Sequence, residues 1–233
     1  MKGQENLPII PLRNTVFFPN QVMPMSVGRE GSIRIVAESS KQQSPILFLA
    51  QKDPKVDQPK ASDVHWFGTV GKILKVFNLS DGSKSVIVQG LYRARVLSVM
   101  EEGSTLKSVA QQVEDEGEVD LEGEALATNI MNLFRRAVEL SPDLTAEQLS
   151  IVLNVGNRGS VADIVTSLVN ASVSEKQEIL ETINLRDRLE RAHFLLTKVV
   201  QQLELGNKIQ TEVQDEINKS QREFYLREQL KAI

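Results

Sequence analysis

Apolar positions in the first hundred residues come in short runs set off by proline and glycine, whereas beyond residue 124 they recur at the three- and four-residue spacing of a helix face. The opening run Leu7-Pro8-Ile9-Ile10-Pro11-Leu12 is apolar but holds two residues that cannot donate to a ladder, which predicts a short edge strand. Residues 17–19 and 22–27 make a second extended stretch. From 30 to 42, Ile33, Val36 and Ala37 mark one helix that must end before Pro45, and 45–50 read as a short buried strand. Val70, Ile73, Leu74, Val76, Phe77 and Leu79 then lead into Asp81-Gly82, followed by Val86-Ile87-Val88 and by 92–99. Asp-Gly between β-rich runs predicts a hairpin, because glycine accepts the positive φ of the turn. Residues 106–113 supply one more strand. Several short strands and one helix fit a mostly antiparallel β pseudo-barrel better than a βαβ sheet.

The second half reads as consecutive helices over 125–140, 144–155, 161–170 and 175–183, then one long charged helix over 184–233. Ser160 with Asp163 and Ser174 with Gln177 have capping-box spacing, and Asn184 is placed to cap the last helix. That helix holds no proline and one glycine, Gly206. If unbroken it is about 70 Å long, more than a small domain covers, and nothing after its last apolar positions signals a stop, which predicts a continuation. The fold class expected is therefore α+β, a β pseudo-barrel followed by a small helical bundle and a long protruding helix.

Seven of the eight prolines lie in the first 59 residues, and nine acidic residues against one basic one fall between 101 and 124. These shifts predict a β-rich domain over 1–113, an exposed acidic linker or loop over 114–123, a helical subdomain over 124–183 and the long helix over 184–233. Residues 1–100 carry thirteen Lys and Arg against seven Asp and Glu, while the whole chain stands at −4. That mild basic bias lacks the arginine density or interleaved aromatics of a nucleic-acid surface. With no cysteine, no apolar leader and no run of about 20 apolar residues, a cytoplasmic protein without a membrane partner is expected.

Catalytic patterns are scarce. No glycine-rich phosphate loop ends in Lys-Ser or Lys-Thr, and no dinucleotide fingerprint follows a strand. His65 and His193 fall in different predicted domains, and the carboxylates of 114–124 are adjacent in one run instead of paired across a pocket. No catalytic, cofactor or metal residue is therefore assigned. Two apolar sets remain. Phe17, Phe18, Met23 and Met25, with Trp66 and Phe67, are either ordinary core or a pliable patch for varied peptides, since methionine adapts to different shapes. On the terminal helix, Leu203, Ile209, Val213, Ile217, Phe224, Tyr225 and Leu226 are candidates for association or interdomain packing; nine basic and eight acidic residues leave its surface nearly neutral.

Taken together, the motifs resemble the N-terminal region of bacterial Lon, the ATP-dependent protease. The resemblance rests on 7–14 (Leu-Pro-Ile-Ile-Pro-Leu-Arg-Asn), Phe18-Pro19 with Met23-Pro24, Val27-Gly28-Arg29-Glu30, 50–54, Gly68-Thr69-Val70, Val88-Gln89-Gly90, Glu175-Lys176-Gln177 and the closing stretch 221–233. It implies a PUA-like pseudo-barrel that binds substrates and a long helix leading to an ATPase ring and a protease domain. For the intact family protein it implies ATP, magnesium, a Ser-Lys dyad and a homohexamer, none of whose catalytic motifs is in this chain. The function implied is noncatalytic recognition of unfolded, damaged or degron-bearing proteins and support of assembly; the alternative is a structural spacer with client binding elsewhere. Asn14, where an acidic residue is common, and Trp66, where a smaller one is expected, leave client preference open.

Overall fold

The computed structural model describes residues 3–80 and 82–231, with side chains described through residue 223. Six strands form one sheet: β1 (Gln4–Leu12), β2 (Val22–Val27), β3 (Ile46–Ala50), β4 (Phe67–Asn78), β5 (Lys84–Glu102) and β6 (Thr105–Val113), in the order β2-β5-β4-β3-β1-β6. Only β1 and β3 run parallel; the other pairings are antiparallel. The sheet returns on itself because β5, 19 residues long, pairs first with β2 and β4 and then with β6. The result is a near-ring with β2 attached outside the closure, so β2 keeps one open edge.

The expected edge strand is corrected. β1 lies between β3 and β6, but its first half pairs with β6 (Gln4 to Ile9) and its last part with β3 (Ile9 to Leu12). Pro8 and Pro11 therefore each sit where the strand has a partner on one side only, which is how two missing amide protons fit inside a sheet. β3 is buried at all five positions because Ile46 and Phe48 enter one core while Leu47 and Leu49 enter another. The single helix α1 (Glu30–Gln42) covers the first of these cores with Ile35 and Val36. Geometry requires glycine at Gly82 and Gly90, among other positions. Gly82, at φ 82°, turns the β4–β5 hairpin, and a side chain at Gly90 would stand 2.2 Å from the carbonyl oxygen of Phe18.

The helices are α2 (Leu121–Leu140), α3 (Ala146–Leu153), α4 (Val161–Leu168), α5 (Val173–Glu181) and α6 (Leu185–Lys231). Their core holds Ile130, Phe134, Val165, Ile179, Leu180, Leu189 and Leu196, and also Val16, Phe18, Ala50 and Phe67 from the sheet side. One apolar cluster thus crosses the expected boundary.

Residues 114–118 and 120 are exposed and belong to no helix or strand, but the segment is tied to the fold at several points. Asp120 caps α2, accepting from the Gly123 amide, and the helix begins at Leu121. Glu116 is tied to the foot of α6 by two backbone bonds, its amide donating to Ile183 and its carbonyl accepting from Leu185. Asp115 pairs with the arginines of the joint described below. Acidity here follows from pairing and capping as much as from solvation.

Two predicted caps are also corrected. Ser160 makes no side-chain cap, and the box at α5 is formed by Ser172 and Glu175, two residues earlier than the Ser174–Gln177 spacing. Asn184 does cap α6, accepting from the amides of Arg186 and Asp187. α6 runs 47 residues without a break at Gly206, packs through Leu189, Ala192, Leu195, Leu196, Val199 and Val200, and is exposed over residues 204–223.

Candidate functional site

The aromatic and methionine set divides once it is folded. Phe17, Phe18, Met25 and Phe67 are buried, so the reading of these four as a surface patch is corrected to core packing. Phe17 lies edge-on to Phe48, ring centroids 5.1 Å apart, and Phe18 and Phe67 reach the helical core. Prolines made this run look unable to hide both faces, yet residues 16–18 are an irregular segment whose successive side chains enter two different cores. Met23 is half-buried beside Met25. Trp66 is 45% exposed, and its indole N–H donates to the Ala61 carbonyl at 3.1 Å. Leu203 is partly buried against the helical core, whereas Ile209, Val213 and Ile217 are exposed. Phe224, Tyr225 and Leu226 lie outside the residues whose side chains are described.

A different apolar surface is present on the arm formed by β2 and the turn-proximal parts of β4 and β5. Register alternation puts Val86, Val88, Met25 and Val27 inward. The opposite face aligns Val22 with Gln89 and Lys72, Pro24 with Ile87 and Lys75, and Ser26 with Ser85 and Phe77. A bulge between Ile73 and Lys75 inserts Leu74 opposite Ile87, adding one more apolar group to that face. Leu74 is 49% and Phe77 41% exposed, with Val22 and Leu79 exposed beside them.

The face is mildly basic. No Asp or Glu occurs in 22–27, 67–78 or 84–100. Lys75 Nζ stands 5.0 Å from the Phe77 ring centroid, a contact worth about 0.5–1 kcal/mol at an exposed site. Sequence reasoning used Leu74 and Phe77 only as strand formers. The signal that marks them is the unbroken Ile73-Leu74-Lys75-Val76-Phe77 run, which has more apolar groups than one buried face can take.

The arm is held to the helices through a buried charged joint. Arg93 of β5 places Nη2 at 2.5 Å from Asp163 Oδ1 of α4, and its Nε donates to the Leu180 carbonyl at 3.0 Å. Arg188, at the foot of α6 and wholly buried, donates from Nη1 to Asp115 Oδ1 at 2.8 Å, while its Nε is 3.7 Å from Asp163 Oδ1. Two cations and two anions from the sheet, the acidic segment, α4 and α6 thus neutralise one another. Burial opposes ionisation of Asp115, but the Arg188 hydrogen bond and the charges of Arg188 and Arg93 outweigh it and hold its pKa below the ordinary value. On β5 the neighbouring Tyr92 is pushed up to about 12 by burial and by its hydrogen bond to Glu5.

No group of three or more His, Asp or Glu side chains capable of holding a metal occurs among the described residues, and no described helix is long and apolar enough to cross a membrane.

Comparison with known proteins bears on what such a surface does. The family described as ATP-dependent protease La (LON) substrate-binding domain matches residues 6–198. The chain is 39% identical over 228 residues to a Lon protease of Anaeromyxobacter dehalogenans, covering 97% of this chain and 27% of that protein. It is 40% identical over 229 residues to a Lon protease of Dictyoglomus thermophilum, covering 98% and 29%. The chain therefore spans less than a third of the curated relatives it matches. Its fold is shared with the N-terminal domain of Mycobacterium avium complex Lon protease, with TM-score 0.66 at 18% identity, covering 84% of this chain and 98% of that one. It is also shared with the Lon N-terminal domain protein from Xanthomonas campestris, with TM-score 0.59 at 16% identity, covering 80% and 96%. This chain belongs to the family of Lon substrate-binding domains, the noncatalytic N-terminal part of that protease.

Proposed function

We propose that this domain recognises unfolded, damaged or degron-bearing polypeptides through the outer face of its β2–β5–β4 arm. The observation carrying the reading is the exposure of Val22, Leu74, Phe77 and Leu79 on one arm of a protein of a substrate-binding family. A sheet face with exposed aliphatic and aromatic groups and no carboxylates gains by covering apolar segments, and it imposes little sequence restriction. In the whole protein, ATP with magnesium drives unfolding and a Ser-Lys dyad in a cytoplasmic homohexamer cleaves the client; this domain delivers and positions it. Nucleic acid is not the main partner, given a net charge of −4 and the sparse arginines of the basic face.

A second role is supported by α6. Leu205, Ile209, Val213 and Ile217 stand four apart and exposed along its outer length, which suits packing against a neighbouring subunit. Client and association roles separate experimentally. Binding of a fluorescent, permanently unfolded protein by the double variant Leu74→Ser with Phe77→Ser should weaken by about tenfold, equivalent to about 1.4 kcal/mol, with little salt dependence in the parent chain. Undiminished binding by the folded variant excludes the arm face.

A further inference from the structure

A second depression lies on the other side of β2. It occupies about 460 Å³ between the open edge of that strand and the end of β1, where pairing with β6 has stopped. Its apolar wall includes Ile10, Leu12, Met23, Met25 and Val27, and its charged groups are Arg13 and Arg29 with no carboxylate. The strand edge is incomplete as well as open. Pro24 has no amide proton to give β5, so it fits the ladder with its nitrogen on the open side, and the same alternation turns the amides of Val22 and Ser26 outward.

β2 runs directly into α1, and the groove ends at that helix's first turn. Arg29 is the N-cap residue and makes no side-chain cap; no backbone acceptor meets the amides of Glu30, Gly31 or Ser32 among the described residues. A cation at this end of a helix is the reverse of the favourable arrangement, since the amide dipoles already leave partial positive charge there. Arg29 donates to the Pro11 carbonyl at 3.2 Å and to Gln51 Oε1 at 2.5 Å, both neutral, and has no carboxylate partner among the described residues. Arg13, by contrast, is already paired with Asp57 at 2.5 Å. The independent sign is Ser32: it is 8% exposed, lines this groove and its hydroxyl has no hydrogen-bond partner among the described residues. The hydroxyl of Ser32 and a guanidinium without a salt-bridge partner among the described residues thus line one groove at the start of α1.

We propose that this groove receives the free C-terminal carboxylate of an extended polypeptide whose last residue is apolar. The carboxylate sits at the first turn of α1 with Arg29 and Ser32, the last side chain enters the methionine-lined wall, and the preceding backbone lies along the open edge of β2. The proposal rests on the reading that this domain binds client polypeptides, but it uses the opposite side of β2 from the arm face. An apolar wall and a strand edge suit a peptide terminus, whereas a bare phosphate would leave both unused.

The test uses the 233-residue chain and a fluorescein-labelled, unstructured ten-residue peptide ending in leucine, made as the free acid and as the C-terminal amide. Fluorescence anisotropy should show the acid binding at least about tenfold more tightly than the amide. Arg29→Gln should remove most of that ratio, and Ser32→Ala should reduce it severalfold. Because Arg29 also ties β1 to Gln51, a second measurement avoids dependence on its folding: the acid peptide carrying benzophenone next to its last residue should crosslink to Met23 or Met25 in the unmodified chain, and the amide should not. Equal binding of acid and amide, crosslinks elsewhere, or no acid-dependent binding up to about 1 mM overturns the proposal. The Leu74→Ser, Phe77→Ser variant distinguishes the two readings. If it loses unfolded protein while acid and amide never differ, the groove proposal fails and the arm reading stands; if it keeps unfolded-protein binding while the acid preference persists, the reverse holds.

Discussion

The charged joint and the outer arm are both built on β5, yet they treat their side chains in opposite ways. The Arg93 guanidinium is enclosed and faces Asp163, Asp115 and the Leu180 carbonyl, and the adjacent apolar core passes without interruption from Phe18 and Phe67 into the helices. A few residues earlier on the same strand, Ile87 and its neighbours Leu74, Phe77 and Val22 face outward with nothing packed over them. The protein keeps one end of a strand closed and leaves the other end adhesive. Fixing the joint lets the arm hold its exposed face without that face collapsing onto the helices.

The largest effect should come from opening the joint. Asp163→Ala leaves Arg93 and Arg188 buried without their shared anion, and urea denaturation should show a loss of about 3–5 kcal/mol. A loss below about 1 kcal/mol would mean that water reaches the joint and that it is no more enclosed than the arm. Close behind is Phe18→Ala, which hollows the cluster shared by sheet and helices and should cost about 3 kcal/mol or somewhat more. If the cluster unites both halves, circular dichroism of the helices and fluorescence of Trp66 should move together to one lower midpoint; separate midpoints would divide the molecule where the cluster crosses it.

Replacing Ile209, Val213 and Ile217 together with alanine removes groups that nothing in the monomer covers. Monomer stability should change by less than about 1 kcal/mol, since alanine also favours helix, while sedimentation across a concentration series should show weaker association. Unchanged mass distributions would leave α6 without an adhesive role. The smallest expected effect is that of pH at Asp115. Its pKa in the folded chain lies below the unfolded value of 3.8, so its contribution is present above that value and is lost as pH falls through the folded one. Because the carboxylate is partly exposed, the contribution is below about 1 kcal/mol, and Asp115→Asn should flatten the acid limb of a stability-versus-pH curve.

What could be read from the chain was local. Residues 30–42 predict α1 to the residue because three apolar positions and a following proline define a helix without reference to anything else. The β4–β5 hairpin and the Asn184 cap are likewise set by neighbours in sequence. What failed depended on distant partners. Gln177, expected to close a cap, instead donates to the Phe67 carbonyl 110 positions away, and Asp163 turns from a presumed cap to the guanidinium of Arg93. Phe17 and Phe18 were ambiguous for the same reason: neighbouring residues enter separate cores, and no periodicity encodes that. Leu74 was hidden by a bulge, since one added residue reverses the face on which later side chains fall.

The foot of α6 has a mechanical consequence. Arg188 and Glu116 fix the helix at its first turn and the helical core holds it as far as Leu203, after which the stretch to Lys231 carries the far end about 42 Å beyond the last packed turn. A tilt of about 5° at that last packed turn swings the far end by roughly 4 Å. The same lever acts in reverse. A load applied near residue 231 is met first where α6 leaves the bundle, by the Arg136–Glu204 ion pair and the bond from Asn207 to the Leu140 carbonyl, and only through the packed turns behind them by Arg188.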